Sequence, residues 1–492
     1  MMKRTRLIEE NRHRSLRSYA WRFCTLWDRP IKAVVASLLL FTTVTTALAQ
    51  RNHPTETAPI ALTDVSIIDV NNGRVLPGFN VVITGNRISE ISKGQIRGLP
   101  KATRRISGRG KFLIPGLWDM HVHLTHLGED SLRVFLANGV TSVRDMGGVF
   151  DQVKVWRDEV AAGTRLGPRI KAAGPIIENA RWIAAVREMS KKANNKEPDW
   201  LAYRVGVLTP EDARKAVDSI ADSGADFIKI RNNPSREAFL ALADQAKRRG
   251  LLFVGHQPAR ITLAEASDAG MSSIEHGFFP ALNLNQDERA ELFSRFARNR
   301  TSIVPTLIAT RNFRLLPDSV VAVALDDKNT TEPRRSYVSA KVLEGWREEM
   351  KLKKEETGQI DWPGIYQSTA RNVREMTERG VNVMAGTDAG SVLVFPGFSL
   401  HEELHLLVVD AGLSPLQALQ AATINPAKYL GLTDSFGAIE KGKIADLVLL
   451  NANPLENIDN TRKVEAVIIN GRYLSSQDLQ RILTEVSQRR RE

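Results

Sequence analysis

The chain has 492 residues and a formal net charge of +12, with 42% apolar and 25% charged residues. These fractions are ordinary for a globular protein, and the length allows roughly two to four domain-sized units. About half of the net charge lies in residues 1–49, where nine lysines and arginines face three acidic residues. The rest is mildly basic and has no Lys/Arg stripe interleaved with aromatic residues, which argues against nucleic-acid binding.

Residues 1–49 predict a secretory signal peptide. A basic segment ending at Lys32 is followed by an apolar run over 33–41 and by the small-residue ending Ala47-Leu48-Ala49. This order is typical of an export signal, so we expect cleavage after Ala49 and a periplasmic or extracellular protein. A membrane anchor formed by an uncleaved segment is the alternative, although the run is short for a span and is followed by several Thr.

The only cysteine, Cys24, lies upstream of the apolar run. The exported chain would therefore have no thiol nucleophile, no thiolate metal site and no disulfide. A core of the size that this length allows does not need disulfide staples, so the lack of cysteine is compatible with export.

The remaining chain begins and ends with short strands. Strand patterns occur over 61–70, 80–84, 87–91 and 111–114, separated by turn residues. They return over 437–450 and 464–469, and residues 476–492 predict a charged amphipathic helix. We expect the first and last strands to pair in one small β-sandwich.

Between these segments, strands alternate with amphipathic helices such as 210–223 and 235–249. Eight strands in this alternation predict a (β/α)8 TIM barrel. The eight strands end near His123, Asp145, Gly174, Ile230, His256, His276, Thr306 and Asp388. The predicted fold class is α/β, with a TIM barrel over 114–430 inserted into a β-sandwich formed by residues 50–113 and 431–475. The signal peptide (1–49) precedes these domains, and the C-terminal helix or tail (476–492) follows them.

Two histidines, His121 and His123, lie two residues apart on the first barrel strand. Residues i and i+2 of a strand point to the same face, so both imidazoles can bind one metal ion. Alone, the pair is equally compatible with two polar side chains on an edge strand. The carboxyl ends of barrel strands converge on one mouth, however. Further ligand-type residues fall at those ends: Lys229, His256, His276 and Asp388.

Seven segments together resemble a known family: 115–123, 228–230, 255–256, 273–277, 385–389, 422–427 and 442–448. The chain is similar to the amidohydrolase superfamily of metal-dependent hydrolases, in the imidazolonepropionase-like and prolidase-like branch. The resemblance covers nearly all of the chain after about residue 60. Single motifs of this set are unspecific, whereas the whole set is specific.

The resemblance implies a site for two divalent metal ions, usually zinc. His121, His123 and Asp388 would hold the buried ion, and His256 and His276 the more exposed one. Lys229 would bridge them as a CO2-derived carbamate, because a protonated amine cannot act as a ligand. If Lys229 instead forms an ordinary ion pair, we expect a single metal. Manganese, cobalt and iron remain alternatives to zinc.

The chemistry that this site implies is attack by a metal-activated water. Asp388 would be the catalytic residue: a general base that accepts the water's proton and then an acid that passes it to the leaving nitrogen.

Three residues are candidates for substrate binding. Relatives commonly follow the lysine with a Ser/Thr-Gly-Gly segment, whereas this chain has Arg231-Asn232-Asn233-Pro234. Arg231 shares the face of Lys229 and is predicted to bind a substrate carboxylate or carbonyl, or to form a surface salt bridge. Gln257 follows His256 at the mouth, and His401 lies on a helix after strand eight, where we expect a solvated or substrate-facing role.

Other polar residues near the strand ends are expected to be structural. Asp119 is predicted either to fix a histidine or strand end or to form a salt bridge. Arg144 and Asp145 could pair with each other or contact the site, and a structural role is favoured. Glu275 is expected to point away from His276. Two long connections, 177–208 and 307–367, are candidate lids whose aromatic residues either line a pocket or pack the loops.

These observations predict an exported, metal-dependent hydrolase that cleaves the C–N bond of a dipeptide, an N-acyl amino acid or a related small amide. Cyclic amides, lactones and esters are alternative substrates, and a catalytically idle metal-binding envelope protein is the alternative of a different class. We expect no nucleic-acid partner and no stable membrane span after cleavage; a homo-oligomer is compatible with the sequence.

Overall fold

The computed structural model describes residues 58–192, 194–277, 284–326, 331–355 and 360–490. The predicted signal peptide over 1–49 lies outside these residues. Within the described ranges, no helix combines the length and the apolar character that crossing a membrane requires.

The strands of the described residues are β1 (Ile60–Asp69), β2 (Arg74–Thr84), β3 (Arg87–Lys93), β4 (Arg104–Ser107), β5 (Phe112–Pro115), β6 (Leu117–Val122), β7 (Val140–Asp145), β8 (Arg169–Ala172), β9 (Ile176–Asn179), β10 (Arg204–Val207), β11 (Phe227–Ile230), β12 (Leu252–Gly255), β13 (Met271–Glu275), β14 (Ser302–Val304), β15 (Leu447–Leu450), β16 (Val464–Ile469) and β17 (Arg472–Ser475). The helices are α1 (Leu124–Leu127), α2 (Asp130–Ala137), α3 (Phe150–Ala161), α4 (Ala180–Lys192), α5 (Pro210–Asp222), α6 (Arg236–Arg248), α7 (Leu263–Asp268), α8 (Gln286–Asn299), α9 (Leu307–Thr310), α10 (Asp318–Leu325), α11 (Ala340–Glu355), α12 (Trp362–Glu378), α13 (Phe398–Val409), α14 (Pro415–Ala421), α15 (Ile424–Tyr429) and α16 (Ser476–Arg489).

The first and last strands pair with each other, as predicted. They form one sheet in the order β17-β16-β15-β5-β1-β2-β3, with β4 parallel to β1. The two ends of the chain meet where β15 runs antiparallel to β5, with Leu449 opposite Leu113. The strand predicted over 437–450 is shorter than expected, because only β15 is extended. Gly437 and Gly442 adopt left-handed backbone before it, with φ of 87° and 91°, and turn the chain there.

Alternate residues of this sheet pack on opposite sides. Leu447 and Leu449 join an apolar cluster made within the sheet, together with Leu62 and Leu113. The intervening Val448 and Leu450 join the large core of the α/β region. This alternation of two buried faces is what a period-2 strand produces, and it attaches the terminal sheet to the rest of the protein.

The central region contains two parallel sheets. Their strand orders are β6-β7-β8 and β10-β9-β11-β12-β13-β14. A bridge between Ala173 and Phe227 connects the end of β8 to β11. Strands β9 and β10 were not predicted. β9 lies at the start of the connection over 177–208 and β10 near its end, and both extend the second sheet.

The eighth predicted strand, over 381–388, is not a continuous ladder. The segment instead makes isolated bridges from Val383 to Ile303 and from Ala389 to Val122. The Met384 N–H donates to Ile303 O at 2.9 Å, and the Asp388 N–H donates to His121 O at 2.7 Å. The segment therefore lies between β14 and β6, although its backbone turns left-handed at Asp388 (φ 60°).

Helix starts follow the sequence signals for capping. Thr209 and Ser475 each form a capping box with the Asp three positions later, at the starts of α5 and α16. The predicted C-terminal helix is confirmed by α16, which packs Leu479 and Ile482 against Leu136 of α2.

Candidate active site

Strand ends bring three of the predicted ligands together. His121 is buried at the end of β6, and His123 follows that strand. The Nε2 atoms of His121 and His123 lie 3.4 and 3.3 Å from Asp388 Oδ1. One ligand atom from each residue falls within 4.8 Å of the others, which is the convergence that a metal ion needs.

Two further histidine rings, those of His256 and His276, lie beside this group. The ring centroid of His276 lies 4.6 Å from that of His121 and 4.7 Å from that of His256. His276 Nδ1 lies 3.0 Å from Thr306 Oγ1 and 4.0 Å from Asp388 Oδ2. All four predicted histidine ligands therefore lie in one cluster, with Asp388 among them.

A cavity of about 490 Å³ opens onto this cluster and is lined by His123, Lys229, His256, His276 and Asp388, among others. Lys229 is 2% exposed. Its Nζ is buried and has no hydrogen-bond partner among the described residues. His121 Nε2 is a second buried nitrogen to which no described residue forms a hydrogen bond. Buried polar atoms are rarely left unsatisfied, so both nitrogens indicate a missing partner.

Burial keeps the histidines neutral. It lowers the pKa of His121 to about 3 and that of His276 to about 4, with the positive charge of Lys229 acting in the same direction. The pKa of His256 is lowered well below its ordinary value for the same two reasons. A neutral imidazole has a free lone pair, so these side chains are in the form that binds metal.

Asp388 and Lys229 are shifted in ways that suit the same site. Burial alone would raise the pKa of Asp388, but the neighbouring His121, His123 and His276 hold it well below its ordinary value. Burial is the main cause that lowers the pKa of Lys229 to about 8; the carboxylates of Glu275 and Asp388 oppose this shift, and the charges of Arg144 and Arg204 add to it. A neutral amine, the form that reacts with CO2, is thus accessible near neutral pH. The donor set fits divalent metal ions.

The carboxylate of Glu275 contacts the ring of His121 and holds its orientation. Its Oε2 lies 2.9 Å from His121 Nδ1. Arg144 Nη2 donates to both carboxylate oxygens, at 2.8 and 2.9 Å, and Ser273 Oγ donates at 2.6 Å. Glu275 therefore contacts a predicted metal ligand, His121, and does not have the purely structural role that was expected. Arg144 pairs with Glu275 and not with Asp145. Such a carboxylate on a ligand histidine holds its ring orientation and raises its basicity.

Asp119 fixes the segment that carries Asp388. It accepts hydrogen bonds from Thr387 Oγ1 at 2.7 Å, from Thr387 N at 2.9 Å and from His121 N at 3.2 Å. Of the two roles predicted for it, the structure therefore shows the fixing of strand ends.

Ligand-bearing turns have strained backbones. Asp388, His276 and Thr306 have φ of 60°, 71° and 45°. A non-glycine residue in this left-handed region costs about 1–2 kcal/mol. Such strain clusters at functional sites, where surrounding contacts hold it in place.

Arg231 lies in the cavity wall, as predicted, but is already paired. Its Nη1 donates to the fully buried Glu178 at 2.9 Å, and its guanidinium lies 4.5 Å from the ring centroid of Trp182. Gln257 has a buried Oε1 without a hydrogen-bond partner among the described residues, and it does not line the cavity. Its role in binding stays a prediction.

His401 does not reach the cavity. It is 2% exposed, its Nδ1 lies 3.0 Å from Thr461 Oγ1, and its Nε2 lies 3.0 Å from Asn138 O. Both ring nitrogens are thus used within the fold. The substrate-facing role predicted for His401 is therefore corrected to a packing role, because α13 turns this face towards the interior.

Two charged residues of the cavity were missed by sequence reasoning. Arg204 begins β10 and Glu349 lies on α11, and both line the cavity. Burial and the charge of Asp388 raise the pKa of Glu349 to about 7. The only sequence signal for either was its place in a long connection rich in aromatic residues.

The aromatic residues of the two connections differ in role. Trp182, Trp200 and Tyr203 of the first connection line the cavity. Trp346 of the second is buried and donates from Nε1 to Gly390 O at 2.7 Å. The first connection therefore forms a wall of the site, whereas Trp346 packs the second against the turn after Asp388.

Comparisons with known proteins agree with this site. The amidohydrolase family profile matches residues 112–474, which include all six predicted ligand positions. Ochratoxinase of Aspergillus niger is 24% identical over 464 residues, covering 84% of this chain and 85% of that protein. Imidazolonepropionase of Thermoplasma acidophilum is 25% identical over 423 residues, covering 81% and 92%. A solved Xaa-Pro dipeptidase with methionine bound in its active site has a TM-score of 0.64 and 26% identity, covering 85% of this chain and 100% of that one.

Proposed function

We propose that this chain, which belongs to the amidohydrolase family and is therefore a hydrolase of carbon–nitrogen bonds, cleaves the amide bond of a dipeptide or an N-acyl amino acid. The observation that carries the proposal is the convergence of His121, His123 and Asp388 at a cavity that is also lined by Lys229, whose Nζ has no hydrogen-bond partner in the described part of the chain.

The site would hold two divalent ions, for which zinc suits the imidazole and carboxylate donors. His121, His123 and Asp388 would hold one ion, and His256 and His276 the other. Lys229 would lie between them as a CO2-derived carbamate, which supplies anionic oxygen in place of an amine. When bound, a divalent ion lowers the pKa of water and polarises a carbonyl.

The chain's own residues would manage the proton. Asp388 stays ionised at neutral pH, so its carboxylate can accept a proton from the attacking water. It can then return that proton to the leaving nitrogen, which must be protonated to depart as an amine. Ser391 Oγ donates to Asp388 Oδ2 at 2.8 Å and holds the carboxylate in position.

A small substrate fits the cavity. Its volume of about 490 Å³ is typical of sites for small molecules. The wall carries arginine and aromatic side chains, which suit an anionic substrate with an apolar part. The related dipeptidase that holds methionine supports an amino-acid-type substrate. Cyclic amides, lactones and esters are alternatives that the same metal site would accept.

The proposal includes the architecture of the two regions. We take the parallel strands to close into an eight-stranded barrel, in which the segment over 381–389 occupies the strand position between β14 and β6. The backbone hydrogen bonds of Met384 and Asp388 to the two flanking strands support this closure. We take the terminal sheet to fold over its own apolar cluster as a sandwich.

Export is part of the proposal and rests on the pattern of residues 1–49. Amino-terminal sequencing of the protein recovered from cells that produce it tests this point. A chain beginning at Gln50 in the periplasmic or culture fraction is expected. An intact amino terminus in the membrane fraction would establish the anchored form instead.

The decisive experiment is a substrate screen of the zinc-loaded protein with metal analysis in parallel. The library contains dipeptides, N-acyl amino acids, cyclic amides and lactones, and Asp388→Asn is the control for site-dependent turnover. Two metal ions per chain and cleavage of dipeptides or N-acyl amino acids are expected. Bound metal without turnover of any compound would favour a metal-binding protein that lacks catalysis.

A further inference from the structure

We propose that Arg204 binds the free carboxylate of the amino-acid half of the substrate, and that this contact restricts the enzyme to amides that carry such a carboxylate. The inference rests on the proposed amide hydrolysis and adds to it the residue that selects the substrate.

Arg204 presents unused donors in the cavity wall. It is the first residue of β10 and lines the same cavity as Lys229 and His256. Its Nε and Nη1 are buried and have no hydrogen-bond partner among the described residues. A buried guanidinium nitrogen without an acceptor is costly, because the group has lost water and gained nothing in return. A ligand that supplies acceptor oxygens would remove this cost.

The local charge also calls for an anion. Glu178 is fully buried, and its oxygens accept from Arg231 Nη1 at 2.9 Å and from the Asn179 N–H at 3.2 Å. Arg204 is close enough to feel both charges: burial and the charge of Arg231 lower its pKa, and Glu178 raises it. Of the two guanidiniums, only that of Arg231 is hydrogen-bonded to this carboxylate, so Nε and Nη1 of Arg204 have no anionic acceptor among the described residues. A substrate carboxylate would supply one.

Aromatic stacking holds the guanidinium in place. Trp182 and Trp200 stack with ring centroids 5.3 Å apart and an interplanar angle of 26°. Arg231 lies over Trp182 at 4.5 Å, and Arg204 lies over Trp200 at 5.4 Å. Arg204 also lies 5.7 Å from the ring centroid of Tyr203. A planar guanidinium held by aromatic neighbours is preorganised to donate hydrogen bonds to a carboxylate.

The position of Arg204 suits a carboxylate close to the scissile bond. Arg204 and Lys229 line the same cavity. In an N-acyl amino acid, one carbon separates the scissile nitrogen from the carboxylate carbon. One cavity of about 490 Å³ is lined by both the ligand cluster and Arg204, so the amide and the carboxylate of such a substrate would lie in the same cavity. Arg231 is the weaker candidate for this contact, because Glu178 already occupies it.

The test compares an acid with its amide in two Arg204 variants and one control variant. The substrates are N-acetyl-L-phenylalanine and N-acetyl-L-phenylalaninamide, followed by acetate release from the zinc-loaded protein. Arg204→Met should raise KM for the acid about 10- to 100-fold with little change in kcat, and should leave hydrolysis of the amide unchanged. Arg204→Lys should be intermediate for the acid, because lysine keeps the charge but loses the planar fork. Arg187→Met, which removes an exposed arginine of α4 paired with Glu197, should match wild type.

A binding measurement separates this inference from the proposed hydrolysis. Calorimetry should show L-phenylalanine binding that weakens about 10- to 100-fold in Arg204→Met, and much weaker binding of L-phenylalaninamide. Hydrolysis that treats acid and amide alike in wild type and variant would overturn the inference and leave the hydrolase. Arg204-dependent phenylalanine binding without any turnover would support the carboxylate site and overturn the proposed hydrolysis. Equal losses for acid and amide, or no binding of phenylalanine, would overturn the inference.

Discussion

Glu275 links the buried charge of Arg144 to the imidazole of His121, and Glu275→Gln tests both links. Both side chains of the ion pair have no solvent exposure, and Arg144 Nη2 donates to the two carboxylate oxygens at 2.8 and 2.9 Å. Replacing the carboxylate by an amide leaves a buried guanidinium without a neutralising charge. Removing one partner of a buried pair costs about 3–5 kcal/mol, so a loss of this size is expected.

The same variant should weaken metal binding. His121 Nδ1 loses the carboxylate that lies 2.9 Å away and orients its ring. Loss of such an orienting carboxylate typically lowers metal affinity about 10- to 100-fold. Urea unfolding of the metal-free protein measures the first effect, and zinc competition with a chelator measures the second.

A double variant separates the two effects. Glu275→Gln with Arg144→Met removes both charges, so it should be no less stable than Glu275→Gln alone, while its zinc affinity stays reduced. A stability loss under about 1 kcal/mol for the single variant would refute the reasoning, because a neutral hydrogen bond alone accounts for that much. Unchanged zinc affinity would show that His121 keeps its orientation without Glu275.

Three further predictions concern single groups. Lys229→Ala should lose one or both metal ions by metal analysis, with activity only partly restored by added acetate; full activity would exclude the bridging role. Asp388→Asn should lower kcat about 100-fold or more, because it removes the proposed base. Ser391→Ala, which removes only the hydrogen bond that positions Asp388, should lower kcat about tenfold or less. Equal losses of kcat in the two variants would show that Asp388 acts only through its position. Burial raises the pKa of Glu403 from 4.5 to about 8, so the native state keeps a proton that the unfolded chain releases. In urea unfolding, wild type should therefore lose stability relative to Glu403→Gln as pH rises from about 5 to 8; a constant difference would show that the Leu307 and Ile308 amides keep it ionised.

Local sequence patterns predicted many of the strands and helices and the residues of the candidate site. Strand alternation placed His121 and His123 on one face, and the recurrence of ligand-type residues at strand ends led to Lys229, His256, His276 and Asp388. The structure confirms the pairing of the terminal strands and the helix at α16. These features follow from the side-chain period of each element and from capping residues within a few positions, both of which are visible in a single sequence.

Some predictions failed because the conformation and the contacts of a segment depend on the elements that pack beside it. The segment over 381–389 lies between two strands but turns left-handed at Asp388, so it makes bridges in place of a ladder. His401 was predicted to face solvent or substrate, yet it is buried and contacts Asn138, which lies far away in the chain. Helical spacing tells which residues share a face but not what that face meets.

The family resemblance, the alternation of strands and helices and the ligand-type residues near the strand ends can be read from the sequence, because periodicity and short motifs are local properties. How those residues are partnered depends on the tertiary structure. It brought Glu275 into contact with His121, 154 residues away in the sequence, and paired Arg231 with Glu178. It also left Lys229 and Arg204 with buried nitrogens that have no hydrogen-bond partner among the described residues. Charge neutralisation and burial depend on groups that folding brings together from distant positions, so they cannot be read from spacing alone.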